Sequence, residues 1–233
     1  MLSPTRPHAR AAIAGALALA ALLAAATGAR AQTVTFAQFE NADTTPAGLF
    51  AFSNNADAST FTAQGDVLFR YLSVPGAPAG VQLATLSLNT GVTAPSSGSP
   101  LDQPLAGSIS FTRKSDGANL LTAFFTGDLT GKTGGRGAGL TADQGGGDVV
   151  IFSSDFLDFS ASVTQTLALS FSGLNPAFTL NANGYLNSFT ADGTGTFSSD
   201  AAPAATVPQP ASLALLGLGL LGLAAARARR RAR

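Results

Sequence analysis

VTQTLALSF, residues 163–171, sets Val163, Gln165, Leu167, Leu169 and Phe171 on one side and Thr164, Thr166, Ala168 and Ser170 on the other. One mostly apolar face and one small or polar face, repeating every two residues, is the pattern of a half-buried β-strand. The pattern recurs outward from this stretch. Residues 107–113 put Ile109 and Phe111 on one face and hydroxyls on the other, and residues 66–72 alternate Val67, Phe69 and Tyr71 with Leu68, Arg70 and Leu72. In residues 81–88 the apolar phase changes between Leu83 and Leu86, which predicts a bulge. Ser115-Asp116-Gly117-Ala118-Asn119 reads as a hairpin turn before residues 120–125, and Asn175-Pro176, Asn183-Gly184 and Asp192-Gly193 are further breakers.

No window of the body sustains a long 3.6-residue apolar period. The spacing therefore predicts an all-β fold, an antiparallel β-sandwich of jelly-roll type with roughly eight to twelve strands. Residues 95–104, rich in Ser and Pro, read as an exposed loop. Residues 131–147 hold eight glycines and read as a mobile loop, with order resuming at 148–152. No fixed-period repeat occurs, which counts against a solenoid.

Composition narrows the chemistry. All 16 Phe lie between Phe36 and Phe197, and aromatics bury large areas, so a folded interior is expected. All 13 acidic residues lie in the body, against Arg70, Arg113, Lys114, Lys132 and Arg136, which leaves the body at −8. Such a body repels phosphate backbones, so no nucleic-acid partner is expected. The chain has no Cys and no Trp, and its one His is His8, in the segment expected to be removed. Disulfides, thiol nucleophiles, His-based triads and His-ligated metals are thereby excluded from the mature body. Carboxylate, hydroxyl, Lys and Tyr chemistry remain, and the reading calls for no cofactor and no metal.

The two ends differ from the body. Arg6, His8 and Arg10 precede an uncharged Ala/Leu-rich run, residues 11–26, and Ala29-Arg30-Ala31 then places small residues at −3 and −1 before Gln32. This is the layout of a secretory signal peptide, cut by signal peptidase after Ala31. At the other end, Val207-Pro208-Gln209-Pro210 cannot join a helix or sheet. Residues 211–226 follow as an uncharged Ala/Leu/Gly run, and Arg227, Arg229, Arg230, Arg231 and Arg233 close the chain. As a helix the run is about 24 Å long, shorter than the ~30 Å hydrocarbon core, and it has no polar face that would keep it on the membrane surface. It reads as a short transmembrane helix with the arginines in the cytoplasm and the body outside. Four parts are expected: a signal peptide and its helix, 1–31; the β domain, 32–200; an Ala/Pro linker, 201–206; and a tail, 207–233.

A Val-Pro-x-Pro motif, a short apolar helix and a terminal Arg cluster, in that order, resemble the PEP-CTERM sorting signal. That resemblance covers 207–233 alone. It implies an exported protein of a Gram-negative bacterium that makes extracellular polysaccharide, and processing near the Pro motif by an exosortase, a membrane-embedded, cysteine-protease-like enzyme. Gln209 stands where the family has Glu. Similar tails occur on some ice-binding and adhesin-like proteins, so the tail is an address and not an activity.

Three motifs fail on context. Gly217-Leu-Gly219-Leu-Leu-Gly222 matches a dinucleotide fingerprint but lies inside the tail's apolar run, with no strand before it. The stretch from Gly127 to Lys132 and Thr133 is one residue short of a phosphate loop, and residues 134–139 put Gly139 where a calcium nonapeptide needs Asp. Three acidic groupings remain, Asp155/Asp158, Asp143/Asp148 and Asp192 with Asp200, as solvated loop carboxylates or Ca²⁺ ligands. The expected function is a non-catalytic, envelope-sorted component of, or binder to, the extracellular polysaccharide matrix. The alternatives are a carboxylate-dependent carbohydrate-active enzyme, or an ice-binding or adhesin-like surface domain.

Overall fold

The computed structural model describes residues 33–42, 48–55, 59–201 and 203–205. Among them are β1 (Val34–Asn41), β2 (Phe50–Ser53), β3 (Thr60–Tyr71), β4 (Gln82–Val92), β5 (Leu101–Arg113) and β6 (Asn119–Gly131). There follow β7 (Gly137–Asp143), β8 (Val150–Ser153), β9 (Leu157–Asp158), β10 (Gln165–Asn175), β11 (Phe189–Ser199) and β12 (Ala204–Ala205). Every pairing is antiparallel, and the order β1-β11-β10-β7-β6-β5-β4-β3 returns to β1 through Phe39↔Phe69. The fold is an eight-stranded antiparallel barrel, which corrects the expected sandwich. Alternation of faces is common to both. What decides is that β1 is hydrogen-bonded on both sides, so the sheet has no free edge there and closes on itself.

Two of the eight positions are filled by a strand broken in the middle. β2 continues the position of β1, pairing β3 through Phe50↔Ala63 and β11 through Ala191↔Phe50. β8 continues that of β7: β7 pairs residues 128–131 of β6, and β8 pairs 122–125. The glycine-rich 131–147 stretch thus contains β7, Gly137–Asp143, between the turn at 132–136 and a 3-10 turn at Gln144–Gly146. Residues 95–104 also differ from expectation, since β5 begins at Leu101. No bulge interrupts β4: Leu83 faces outward beside Leu68, while Ala84, Leu86 and Leu88 keep one buried phase. The turn at 115–119 is present, with Arg113 N–H bonded to Ala118 O and Gly117 at φ 75°.

The barrel is filled, not hollow. Phe50, Phe61 and Phe171 meet with centroids 5.0–6.0 Å apart, and Phe39, Phe111 and Phe197 form a second cluster. Full burial contributes about 1.5–3 kcal/mol per Phe, and favourable ring pairs add about 0.5–1.5. Gly193 makes room for the first cluster, because a Cβ there would stand 2.8 Å from both Phe171 and Phe50. Outward positions are chiefly Ser, Thr, Asn and Gln, the reverse of a transmembrane barrel's apolar exterior. Among the described residues no helix is long and apolar enough to cross a membrane.

Antiparallel order sorts the connections into two ends. The β2–β3, β4–β5, β6–β7 and β10–β11 connections share one end, where the wholly buried Gln103 ties the β4–β5 connection to the β10–β11 connection. Its Nε2 donates to Ala94 O (2.6 Å), and its Oε1 accepts from Ser96 Oγ (2.9 Å) and Leu186 N (3.4 Å). Val34 and Ser199, register partners, lie at the other end, where β9 and β12 also pair. Within the span read as a linker, 201–206, Ala204–Ala205 is therefore strand.

Candidate functional site

The outer face of β3, β4, β5, β6 and β8 carries side chains in transverse rows. One row is Gln64, Ser87, Ser110, Thr122 and Ser153, each the register partner of the next. The next is Thr62, Asn89, Ser108, Phe124 and Ile151. Neighbours in a row stand about 4.8 Å apart and the rows about 6.8 Å apart, as strand spacing and a two-residue repeat require. Neither row contains a charge. A third row, Asp66, Thr85 and Thr112, bounds them with the Lys114–Asp66 ion pair at 2.6 Å.

Phe124 stands within this polar lattice at 55% exposure, between Ser108 and the 57% exposed Ile151, with exposed Val149 just before β8. Phe125 points inward, so the backbone places Phe124 outward by alternation. The result is an uncharged surface with hydroxyl and amide donors and acceptors around one aromatic ring. Sequence alternation predicts the polar rows strand by strand. The neighbours of Phe124 depend on register, and that information is not local.

The acidic groupings serve turns. Asp143 Oδ1 accepts from Gly145 N (3.0 Å), and Asp148 Oδ2 accepts from Asp143 N (2.8 Å), closing the break between β7 and β8. Asp155 Oδ2 accepts from Asn119 N (2.8 Å). Asp158 accepts from Ser160 N (2.8 Å), and that bond holds its carboxyl below the usual range. Asp192 and Asp200 are eight residues apart, about 26 Å along an extended chain, so they do not converge. Asp192 instead accepts from Gly48 N and Asn41 Nδ2 at the lip of a cleft of about 340 Å³. Asp128, which the sequence reading did not single out, is pushed up by burial and then by Asp148 and Asp102. Among the described residues no group of three or more His, Cys, Asp or Glu could hold a metal ion. Of the near-match to a phosphate loop, residues 127–131 lie in β6, and Lys132 and Thr133 follow its end.

The sorting residues predicted from sequence, Ala29 and Ala31, residues 207–210 and the terminal arginines, lie outside the described residues, as does the apolar run 211–226. The family model for the PEP-CTERM protein-sorting motif matches residues 206–231. The chain thus carries this motif at its C-terminal tail, which implies an exported protein sorted by an exosortase. No curated protein and no solved structure matches the chain.

Proposed function

We propose that the barrel is a non-catalytic domain that binds neutral polysaccharide of the extracellular matrix. One observation carries the reading: an uncharged lattice of hydroxyl and amide side chains across five strands, with Phe124 exposed within it. A sugar ring offers a C–H face for an aromatic ring and hydroxyls for Ser, Thr, Asn and Gln. The body charge of −8 repels acidic polymers and leaves neutral ones unopposed. The sorting motif supports placement where such polymers are found, with the body outside the inner membrane and the arginines inside until the tail is processed. A carboxylate-dependent enzyme would need two acids presented to one substrate, whereas Asp143, Asp148 and Asp158 accept from backbone N–H groups of their own loops and Asp155 accepts from Asn119 N of the β5–β6 turn.

Affinity electrophoresis of the body in gels containing neutral or acidic polysaccharide tests this. Retardation by at least one neutral polymer is expected, and Phe124→Ala should weaken it by about tenfold, the equivalent of about 1.4 kcal/mol. Equal retardation of Phe124→Ala, or none by any neutral polymer, overturns the reading.

A further inference from the structure

The sorting motif begins at residue 206, one residue beyond the last strand. β11 ends at Ser199, and from there the chain is bonded to the body step by step. Asp200 N donates to Thr164 O (3.1 Å), and its carboxylate accepts from Val163 N (3.0 Å). Ser199 Oγ donates to Ala201 O (2.5 Å), and Pro203 is buried. β12 then pairs with β9 through Ala204↔Asp158 and Ala205↔Leu157, with Leu157 buried in the core. Only Thr206 and Val207 separate this pairing from Pro208. Two extended residues reach about 7 Å.

A processing enzyme that cuts a peptide bond binds its substrate as an extended strand, using the backbone N–H and C=O groups on both sides of the bond. For a cut at the Pro motif, the upstream residues are Thr206 and Val207 and then those of β12, whose backbone is engaged with β9. We propose that β12 is part of the processing site, and that it must leave β9 before the tail can be cut. The pairing is suited to release. Two register pairs join β9 to β12, against nine between β10 and β11, so β12 opens without the barrel opening. The β9–β12 ribbon is then a latch that the sorting enzyme lifts, and it is formed only in a chain whose barrel has folded.

The full chain with Asp158→Cys and Ala204→Cys tests the latch. The two residues are exposed register partners, and antiparallel partners have Cα atoms about 4.5–5.5 Å apart, within disulfide range. The chain has no other Cys, so this is the one bridge that can form within it. Cutting is followed by mass spectrometry of the C-terminus in membranes containing the cognate exosortase, with and without reductant. The bridged chain should be cut at least about tenfold more slowly, as expected when cleavage tracks the open population. Reductant should restore the rate, and each single-Cys variant should match the unmodified chain. A bridged chain cut at the unmodified rate overturns the proposal. A second variant inserts a Gly/Ser spacer of about six residues after Ala205, roughly 13 Å on average. It should speed cutting of the unmodified chain, and equal rates with and without the spacer overturn the proposal even if the bridge does not form.

Discussion

At Gly107 two strands approach so closely that no side chain fits. A Cβ there would meet Asn89 O and stand 2.6 Å from Thr90 Cα, both backbone atoms of the paired β4. No rotamer change relieves such a clash. Gly107→Ala should cost about 1–3 kcal/mol, read as a lower urea midpoint at unchanged slope. Tyr71 is the residue whose ionisation the fold resists. Its hydroxyl donates to Leu120 O (2.5 Å) and lies 3.2 Å from Ser154 Oγ, and burial pushes the phenol up to about 12. Below pH 10 the phenol is neutral in folded and unfolded chains, so its contribution is complete. Between about 10 and 12 the unfolded chain releases the proton that the folded chain keeps, and stability falls as pH rises. Tyr71→Phe should lose about 0.5–1.5 kcal/mol at neutral pH and flatten the alkaline decline. Urea midpoints from pH 9 to 12 check both effects, and an unchanged alkaline slope would discount the role of Tyr71.

Among the elements, the position shared by β7 and β8 is the weakest seam of the ring. β7 pairs β10 along its length, but no register pair joins β8 to β10. Gln165 fills the gap: its Oε1 accepts from Phe152 N (2.7 Å) and its N–H donates to Gln144 Oε1 (3.0 Å). Gln165→Ala leaves a buried N–H without its acceptor. A loss of about 1–3 kcal/mol is expected, with amide exchange at Phe152 accelerating before the rest of the sheet. Legibility also divides by element. The strand within 163–171 was readable from Gln165 onward because Leu167, Leu169 and Phe171 face inward in strict alternation, whereas Val163, read as part of the apolar face, lies before β10 and is exposed. β7 was not, because Gly137 and Gly139 stand opposite Ser172 and Ser170 with no side chains to alternate. A Gly-rich strand and a Gly-rich loop have the same composition, and only the partner strand distinguishes them. Phe124 was hidden differently: Phe124-Phe125 looks like core at both positions, and alternation within β6 sends one ring each way.

For the whole molecule, the all-β class followed from local pattern, while barrel closure did not. It depends on Val34↔Ser199 and Phe39↔Gly195, pairings between opposite ends of the body. The sorting motif, by contrast, was legible because it is linear and is read along the chain. The closing pairs also bear on the order of delivery. Export led by a signal peptide in residues 1–31 would pass the chain amino end first, so that β1 would reach the far side earliest and β11 nearly last. Until β11 arrives, β1 has one hydrogen-bonding edge open, the kind of edge that recruits other chains. Residues 206–233 follow behind, so every strand can be across while the tail is still in passage. A chain truncated before Phe189, and so lacking β11, would therefore arrive as an open sheet without its membrane address, and would be exposed to proteases and to its own copies.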